Sequence, residues 1–418
     1  MESKPIALVF VFIKNAICGN FSPMRGLFLT LGILILISAC ETGNNTNEKT
    51  GFAINQSDSA LALMKYDLSR PSDTVSIRKG IRIKELLQTK FKDFNGSLLV
   101  SSHGRIIYDT AIGYSDFRSK GKLNIHSSFH LASVSKQFTA MAIMMLKEQG
   151  KLAYDDPAVK FIPDLPYPEI TIRQLLNHTS GLPNITNYIP NFLTFWDSTA
   201  VACNADIVYA LNKNKPSLQS KPGTRFSYNN TGYVLLGLIV EKVSGISFDQ
   251  FVMKKIFKPL QMDDSRVYSM HNNCEVPNRV YGFSRYRGGH SPDEDDIRNG
   301  LVGEKGVYSS VIDLYKWDQA LYTDVLVSQK TIKEAFEYGQ VKSGRKINYG
   351  FGWRKSKNHE DVVYHFGHWR GFKACVIRFT NDKDLIVILN NTGSRRLKQM
   401  ALSISEILNH RDEESEGL

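Results

Sequence analysis

The chain has 418 residues, 42% hydrophobic and 22% charged, with 30 Gly and 14 Pro. Those proportions exclude a collagen-like, coiled-coil or largely disordered chain, and no run of about 18 apolar residues argues for a multi-spanning membrane protein. The formal charge of +11 is scattered, without a block of like charge or a basic-helix or zinc-finger pattern. It therefore reads as a solvated basic surface, with attraction to an anionic membrane or cell-wall polymer as the alternative, and not as a nucleic-acid binder.

From Met24 the chain reads Met-Arg, then an apolar run from Gly26 to Ile37, then Ser38-Ala39-Cys40. A positive start, an apolar stretch and small residues before a cut make a secretory signal, and Met24 fits as the true initiator. The end of this run resembles a bacterial lipobox, in which cleavage precedes Cys40 and the new terminal cysteine carries lipid. Residues 1–39 are thus expected to be a lipoprotein-type signal peptide, with the mature protein anchored in the membrane of the cell envelope through Cys40. Residues 40–76 read as a tether, because the stretch 41–60 has too few apolar groups to offset the entropy of ordering. Cys203, Cys274 and Cys375 remain in the body, widely spaced and odd in number, so no disulfide framework is implied.

A helical stripe of Ile81, Ile83, Leu86, Leu87 and Phe91 follows, over 77–94. Two strand-like runs in GSLLVSSHGRIIYDTAIGY then meet at His103-Gly104, a hairpin signal. Near the other end VVYHFGHW, FKACVIRFT and DLIVILNNT are three further strand-like runs, and the stretch from Arg395 to Leu408 is again helical. The economical α+β architecture is a five-stranded antiparallel sheet flanked by terminal helices, with a mostly helical region (120–345) inserted between its second and third strands. That domain spans 77–411 and leaves a tail at 412–418.

The chain contains no G-x-S-x-G elbow, P-loop, G-x-G-x-x-G after a strand, H-E-x-x-H or C-x-x-C. Three other signs remain. The first is Ser133-Val134-Ser135-Lys136. S-x-x-K is weak by itself and also occurs at Ser76, Ser119 and Ser343, but Ser133 is followed by the apolar helical run FTAMAIMML. At a helix start, residues three apart share a face, so the Lys136 amine can reach the Ser133 hydroxyl. An N-cap serine beside a solvated lysine is the plain alternative. The second sign is Tyr228-Asn229-Asn230 on a loop after Pro222-Gly223, where a phenol can relay protons and an amide can bind a carbonyl. A packing aromatic beside a turn asparagine would look the same. The third is His365-Phe366-Gly367-His368 on a strand, where glycine permits close backbone approach and the following N–H can meet an oxyanion. Exposed strand histidines are the alternative; a metal cluster of His359, His365 and His368 lacks any supporting ligand spacing.

In this order, the three signs resemble those of the serine β-lactamase and penicillin-binding-protein superfamily. Within it they are most similar to the class C β-lactamase-related hydrolases, which include D-alanyl-D-alanine carboxypeptidases, D-amino-acid peptidases and esterases. Further stretches carry the likeness: ITIRQLLNHTSGLP, KPGTRFSYNNTGYVLLGLIVEKVSG and GVYSSVIDLYKWDQAL.

The resemblance implies that Ser133 is the acylated nucleophile, Lys136 its base partner and Tyr228 a proton relay. It implies that Asn230, His365, Gly367 and His368 bind substrate, with the N–H groups of Ser133 and His368 as oxyanion hole, and that neither metal nor cofactor is used. His178 reads as structural. The third motif of penicillin-hydrolysing members usually begins with lysine, and His365 stands there instead; an imidazole is mostly neutral at pH 7. That favours a peptidase or esterase over an efficient β-lactamase, with Arg370 placed to supply the missing charge. The expected substrate is a small molecule or peptide, including peptidoglycan fragments. The alternative is a catalytically silent sensor or wall-binding protein.

Overall fold

The computed structural model describes residues 64–184, 186, 201–286 and 289–409. The expected signal peptide, most of the tether, the anchor at Cys40 and the tail lie outside the described residues.

Asp73 accepts a hydrogen bond from the Ser76 N–H (2.7 Å) and starts helix α1 (Thr74–Lys90). The cap moves this start three residues ahead of the apolar stripe read from the sequence. Strands β1 (Gly96–Ser102) and β2 (Arg105–Ile112) follow. Their two-residue turn has positive φ at both His103 (49°) and Gly104 (74°), the twist that joins antiparallel strands without splaying them.

The chain then leaves the sheet. Helix α2 (Lys136–Glu148) is buried at every position from Lys136 to Leu146, and α3 (Asn230–Ser244) from Thr231 to Val240. Helices apolar on all sides belong inside, and these two pack on each other at the centre of the helical region. A small three-stranded ribbon of Phe129–His130, Val307–Ser309 and Arg266–Val267 ties the segment before Ser133 to the one after Lys305. Helix α4 (Val311–Ala320), capped by Ser310, returns the chain to the sheet.

Four strands complete it: β3 (Arg354–Lys355), β4 (Val362–Trp369), β5 (Phe372–Phe379) and β6 (Asp384–Asn390), before the terminal helix α5 (Leu397–Asn409). The order is β3-β4-β5-β6-β1-β2, every pair antiparallel. The last strand therefore sits beside the first, with Leu98 opposite Ile388. The two-residue β3 extends the expected five strands to six; its run RK carries no apolar signal.

Strands β1 and β6 are buried along their whole length because both faces are covered. Leu98, Val100, Ile386 and Ile388 face Ile83, Leu87, Met400 and Ile404 of the terminal helices. Leu99, Val387 and Leu389 join the larger core with α2 and α3. Each such side chain contributes roughly 1.5–3 kcal/mol on burial.

One buried ion pair fastens α4 to the sheet. Arg378 of β5 and Asp318 of α4, 0% and 1% exposed, bond through Arg378 Nε and Asp318 Oδ1. Asp318→Ala leaves the guanidinium buried without a counter-charge, so the variant is expected to lose about 3–5 kcal/mol in urea unfolding. The apolar double variant Asp318→Leu/Arg378→Met should recover most of that loss; equal stability of single variant and wild type would refute the assignment.

Candidate active site

Ser133 lies in a 3-10 turn, Ala132–Ser135, that runs straight into α2. Ala132 just before it has φ of +49°, a left-handed conformation that an L residue adopts at a cost on the order of 1–3 kcal/mol. Its N–H donates to His130 Nδ1 (3.0 Å). Burial, then Lys305 and Arg279, push the His130 pKa down to about 3, so the ring stays neutral and keeps that lone pair. Ser135 has a structural task, because its hydroxyl accepts from the Val307 N–H (3.1 Å).

One helical turn on, Lys136 Nζ is 3.2 Å from Ser133 Oγ. The lysine is fully buried. Its amine also donates to the Glu304 carbonyl (2.8 Å) and lies 5.2 Å and 5.5 Å from the ring centroids of Tyr228 and Tyr233. The Lys136 amine thus stands beside both the Ser133 hydroxyl and the Tyr228 ring.

The loop carrying Tyr228 is held by its neighbours. Asn229 caps α3 through Gly232 N–H (3.1 Å), and its own amide donates to the Leu182 carbonyl (2.6 Å). Its N–H donates to His178 Nδ1 (3.2 Å), and the His178 ring centroid is 4.4 Å from that of Tyr228. His178 is therefore a positioning residue: burial first, then Lys136 and His365, hold its pKa well below 6.5. Among the described residues the Tyr228 hydroxyl and Asn230 Oδ1 have no hydrogen-bond partner, although both atoms are shielded from bulk solvent.

The third motif forms the opposite wall. β3 pairs with β4 at Tyr364 and Val363 alone, so residues 365–369 have a strand partner on the β5 side only. Their other edge meets the Ser133 turn. A Cβ at Gly367 would stand 2.1 Å from the Leu131 carbonyl oxygen and 3.2 Å from Ala132 Cβ. Only glycine lets strand and turn come this close. His368 is exposed at the end of that edge.

His365 departs from the expected substrate contact. It is buried, and both ring nitrogens have protein partners: Nδ1 donates to the Phe366 carbonyl (2.9 Å), and Nε2 accepts from the Tyr349 hydroxyl (3.1 Å). Burial, then Lys136 and Arg354, hold its pKa well below 6.5, while burial raises that of Tyr349 well above 10. His365 is thus a neutral brace for Tyr349, with no ring atom left for a ligand.

Arg370 does not supply the missing charge. Its guanidinium bonds Asp296, which Arg298 shares, so it brings little free charge. Arg354 does bring one: it has no acidic partner among the described residues, and its guanidinium lies 5.1 Å from the Tyr228 ring centroid. Arg354, Tyr349, His130, Glu304 and Lys305 escaped sequence reasoning. Each belongs to a segment read only for its apolar pattern or not read at all.

The β-lactamase family model matches residues 87–407. The chain belongs to the β-lactamase family. It is 38% identical over 326 residues to penicillin-binding protein 4* of Bacillus subtilis (strain 168), which spans 73% of this chain and 71% of that one. The octameric penicillin-binding protein homologue from Pyrococcus abyssi superposes with a TM-score of 0.67 at 26% identity, covering 78% of this chain and 76% of that one. D-amino acid amidase from Ochrobactrum anthropi SV3 shares the fold, with a TM-score of 0.64 at 23% identity over 79% of this chain and 97% of that one.

Proposed function

We propose that the chain is a serine hydrolase that is acylated at Ser133 and releases the acyl group to water, acting on an amide or ester in the cell envelope. The observation that carries this reading is the 3.2 Å contact between Ser133 Oγ and Lys136 Nζ, made by a lysine with no exposure to solvent.

In its amine form Lys136 gives one N–H to the Glu304 carbonyl and can turn its lone pair to the Ser133 hydroxyl. It takes the serine proton as Oγ bonds the substrate carbonyl carbon. The N–H groups of Ser133 and His368 stabilise the oxyanion, each donor contributing about 3 kcal/mol. Collapse breaks the bond to the leaving group, which receives a proton through Tyr228, and water then cleaves the ester at Ser133 by the reverse proton path. Asn230 offers its amide to the substrate's acyl side. The test is covalent: a fluorescent penicillin or a serine-directed phosphonate should label wild type on the Ser133 peptide, and a substrate panel of a chromogenic cephalosporin, a D-Ala-D-Ala peptide and short acyl esters should show turnover. An unlabelled, inactive wild type would reject the assignment.

Arg354 supplies the cation that the third motif lacks, and a substrate carboxylate is its natural counter-ion. Arg354→Ala is therefore expected to raise KM for a carboxylate-bearing peptide about 10- to 100-fold, while Arg370→Ala leaves it unchanged. Because His365 stays neutral, that KM should be flat from about pH 5.5 to 7.5 in a His368→Gln background, where His365 is the one imidazole left in the motif; a rise through the ordinary histidine range there would assign the charge to His365 instead.

The peptidase or esterase is held at the membrane by lipid on Cys40. A fatty-acid probe fed to a bacterial host should label the full chain and spare Cys40→Ser; equal labelling of both would exclude this anchor.

A further inference from the structure

We infer that Glu304 and Lys305 form a charge pair that tunes the proton exchange between Lys136 and Ser133, making them positioning residues of the site. The inference rests on the reading of Ser133 as nucleophile and Lys136 as base.

Glu304 does two things at once. Its carbonyl accepts the Lys136 amine at 2.8 Å, and its carboxylate Oε2 lies 3.9 Å from the same nitrogen. Both Glu304 and Lys305 are buried, 4% and 3% exposed, and Lys305 Nζ bonds Glu304 Oε1. One carboxylate therefore stands between two amines in a region with little water. A buried carboxylate must be neutralised, and whichever amine does so is held as ammonium.

The arrangement assigns that duty to Lys305. Its amine makes the direct bond, and it is kept in place by the Trp369 ring, 4.5 Å from its nitrogen. Lys136 is left close enough to feel the carboxylate without bonding it. When Lys136 receives the serine proton, its new positive charge forms 3.9 Å from a negative one. At that separation, away from water, the attraction favours the ammonium that proton transfer creates. The other groups facing Lys136 cannot do this. Tyr228 and Tyr233 present their rings, His178 and His365 are neutral, and Arg354 beyond Tyr228 is itself a cation.

The two residues therefore pull in opposite directions. Without Lys305, the charge of Glu304 falls on Lys136 and holds it as ammonium, with no lone pair for Ser133. Without the Glu304 carboxylate, the ammonium formed on proton transfer loses its partner. Lys305 has a second effect, since after burial it is the main cause that keeps His130 neutral and bonded to Ala132.

The test is the pH dependence of Ser133 phosphonylation by a fluorophosphonate probe in the full chain. In this reaction the Oγ–P bond forms, the P–F bond breaks, the serine proton passes to Lys136 and fluoride leaves. Relative to wild type, the acid limb of the second-order rate constant should move to lower pH by about one unit in Glu304→Gln and to higher pH by about one unit in Lys305→Met. Lys305→Arg keeps the charge and should keep the wild-type limb. Limbs that stay fixed, or that move the same way in the first two variants, overturn the inference, as does a displaced limb in Lys305→Arg. A wild type that fails to label at Ser133 defeats the reading beneath it instead.

Discussion

Lys136→Ala is expected to lower kcat by a factor of about 10⁴ to 10⁶ and to leave no more activity than Ser133→Ala or the double variant. The reason is that groups acting as one unit lose function together. Ser133 has no second base within bonding reach among the described residues: the histidines of the site, His130, His178 and His365, all spend their accessible lone pairs on protein partners. An alanine at 136 also removes the hydrogen bond to the Glu304 carbonyl and the amine facing its carboxylate, so thermal unfolding must be recorded alongside. The informative comparison is Ser133→Ala, which deletes a single partly exposed oxygen and should hold the wild-type melting temperature while losing turnover. Measured kcat for the three variants on a short acyl ester decides the matter. Losses for Lys136→Ala and Ser133→Ala that multiply in the double variant would mean the two residues act independently.

Gly367→Ala is the second large effect, and it works through the main chain. The added methyl would stand 2.1 Å from the Leu131 carbonyl oxygen, about 1 Å closer than such atoms tolerate. The turn cannot yield cheaply, because the Leu131 N–H is bonded to the Val307 carbonyl (2.8 Å) and the Ala132 N–H to His130. Strand β4 must therefore move away from the Ser133 turn. A displacement of this size takes one oxyanion donor away from the other and should cost about 10²- to 10³-fold in kcat, with a smaller change in KM. Some 1–3 kcal/mol of stability should go with it. A Gly367→Ala enzyme within threefold of wild-type kcat would show that the two segments need not touch.

Much of this site was legible before any coordinates. Ser133 and Lys136 could be paired because a helical repeat puts residues three apart on one face, and the apolar run behind them marked the helix that became α2. The five long strands announced themselves as apolar runs broken by turn residues, and His103-Gly104 adopts the turn its composition suggested. The single structural glycine of the third motif was visible by its place in a strand.

The charges were less legible. His365 was expected at the substrate and Arg370 as the replacement cation, yet the first is braced by Tyr349 and the second neutralised by Asp296. Arg354 passed unnoticed because it sits in a two-residue strand with no apolar pattern. Glu304 and Lys305 passed unnoticed because nothing in a Glu-Lys dipeptide says that it will be buried.

The division has one physical cause. Periodicity, turn chemistry and the apolar runs act between residues close in the chain, so the chain alone determined the terminal helices, the five long strands, the hairpin and the serine–lysine spacing. Where a charge ends up depends on which distant group neutralises it, and a Coulomb interaction is set by distance in space. The packing of β4 on the Ser133 turn, and of the segment before Val307 behind Lys136, decided which histidine is neutral, which arginine is free and which carboxylate faces the buried amine.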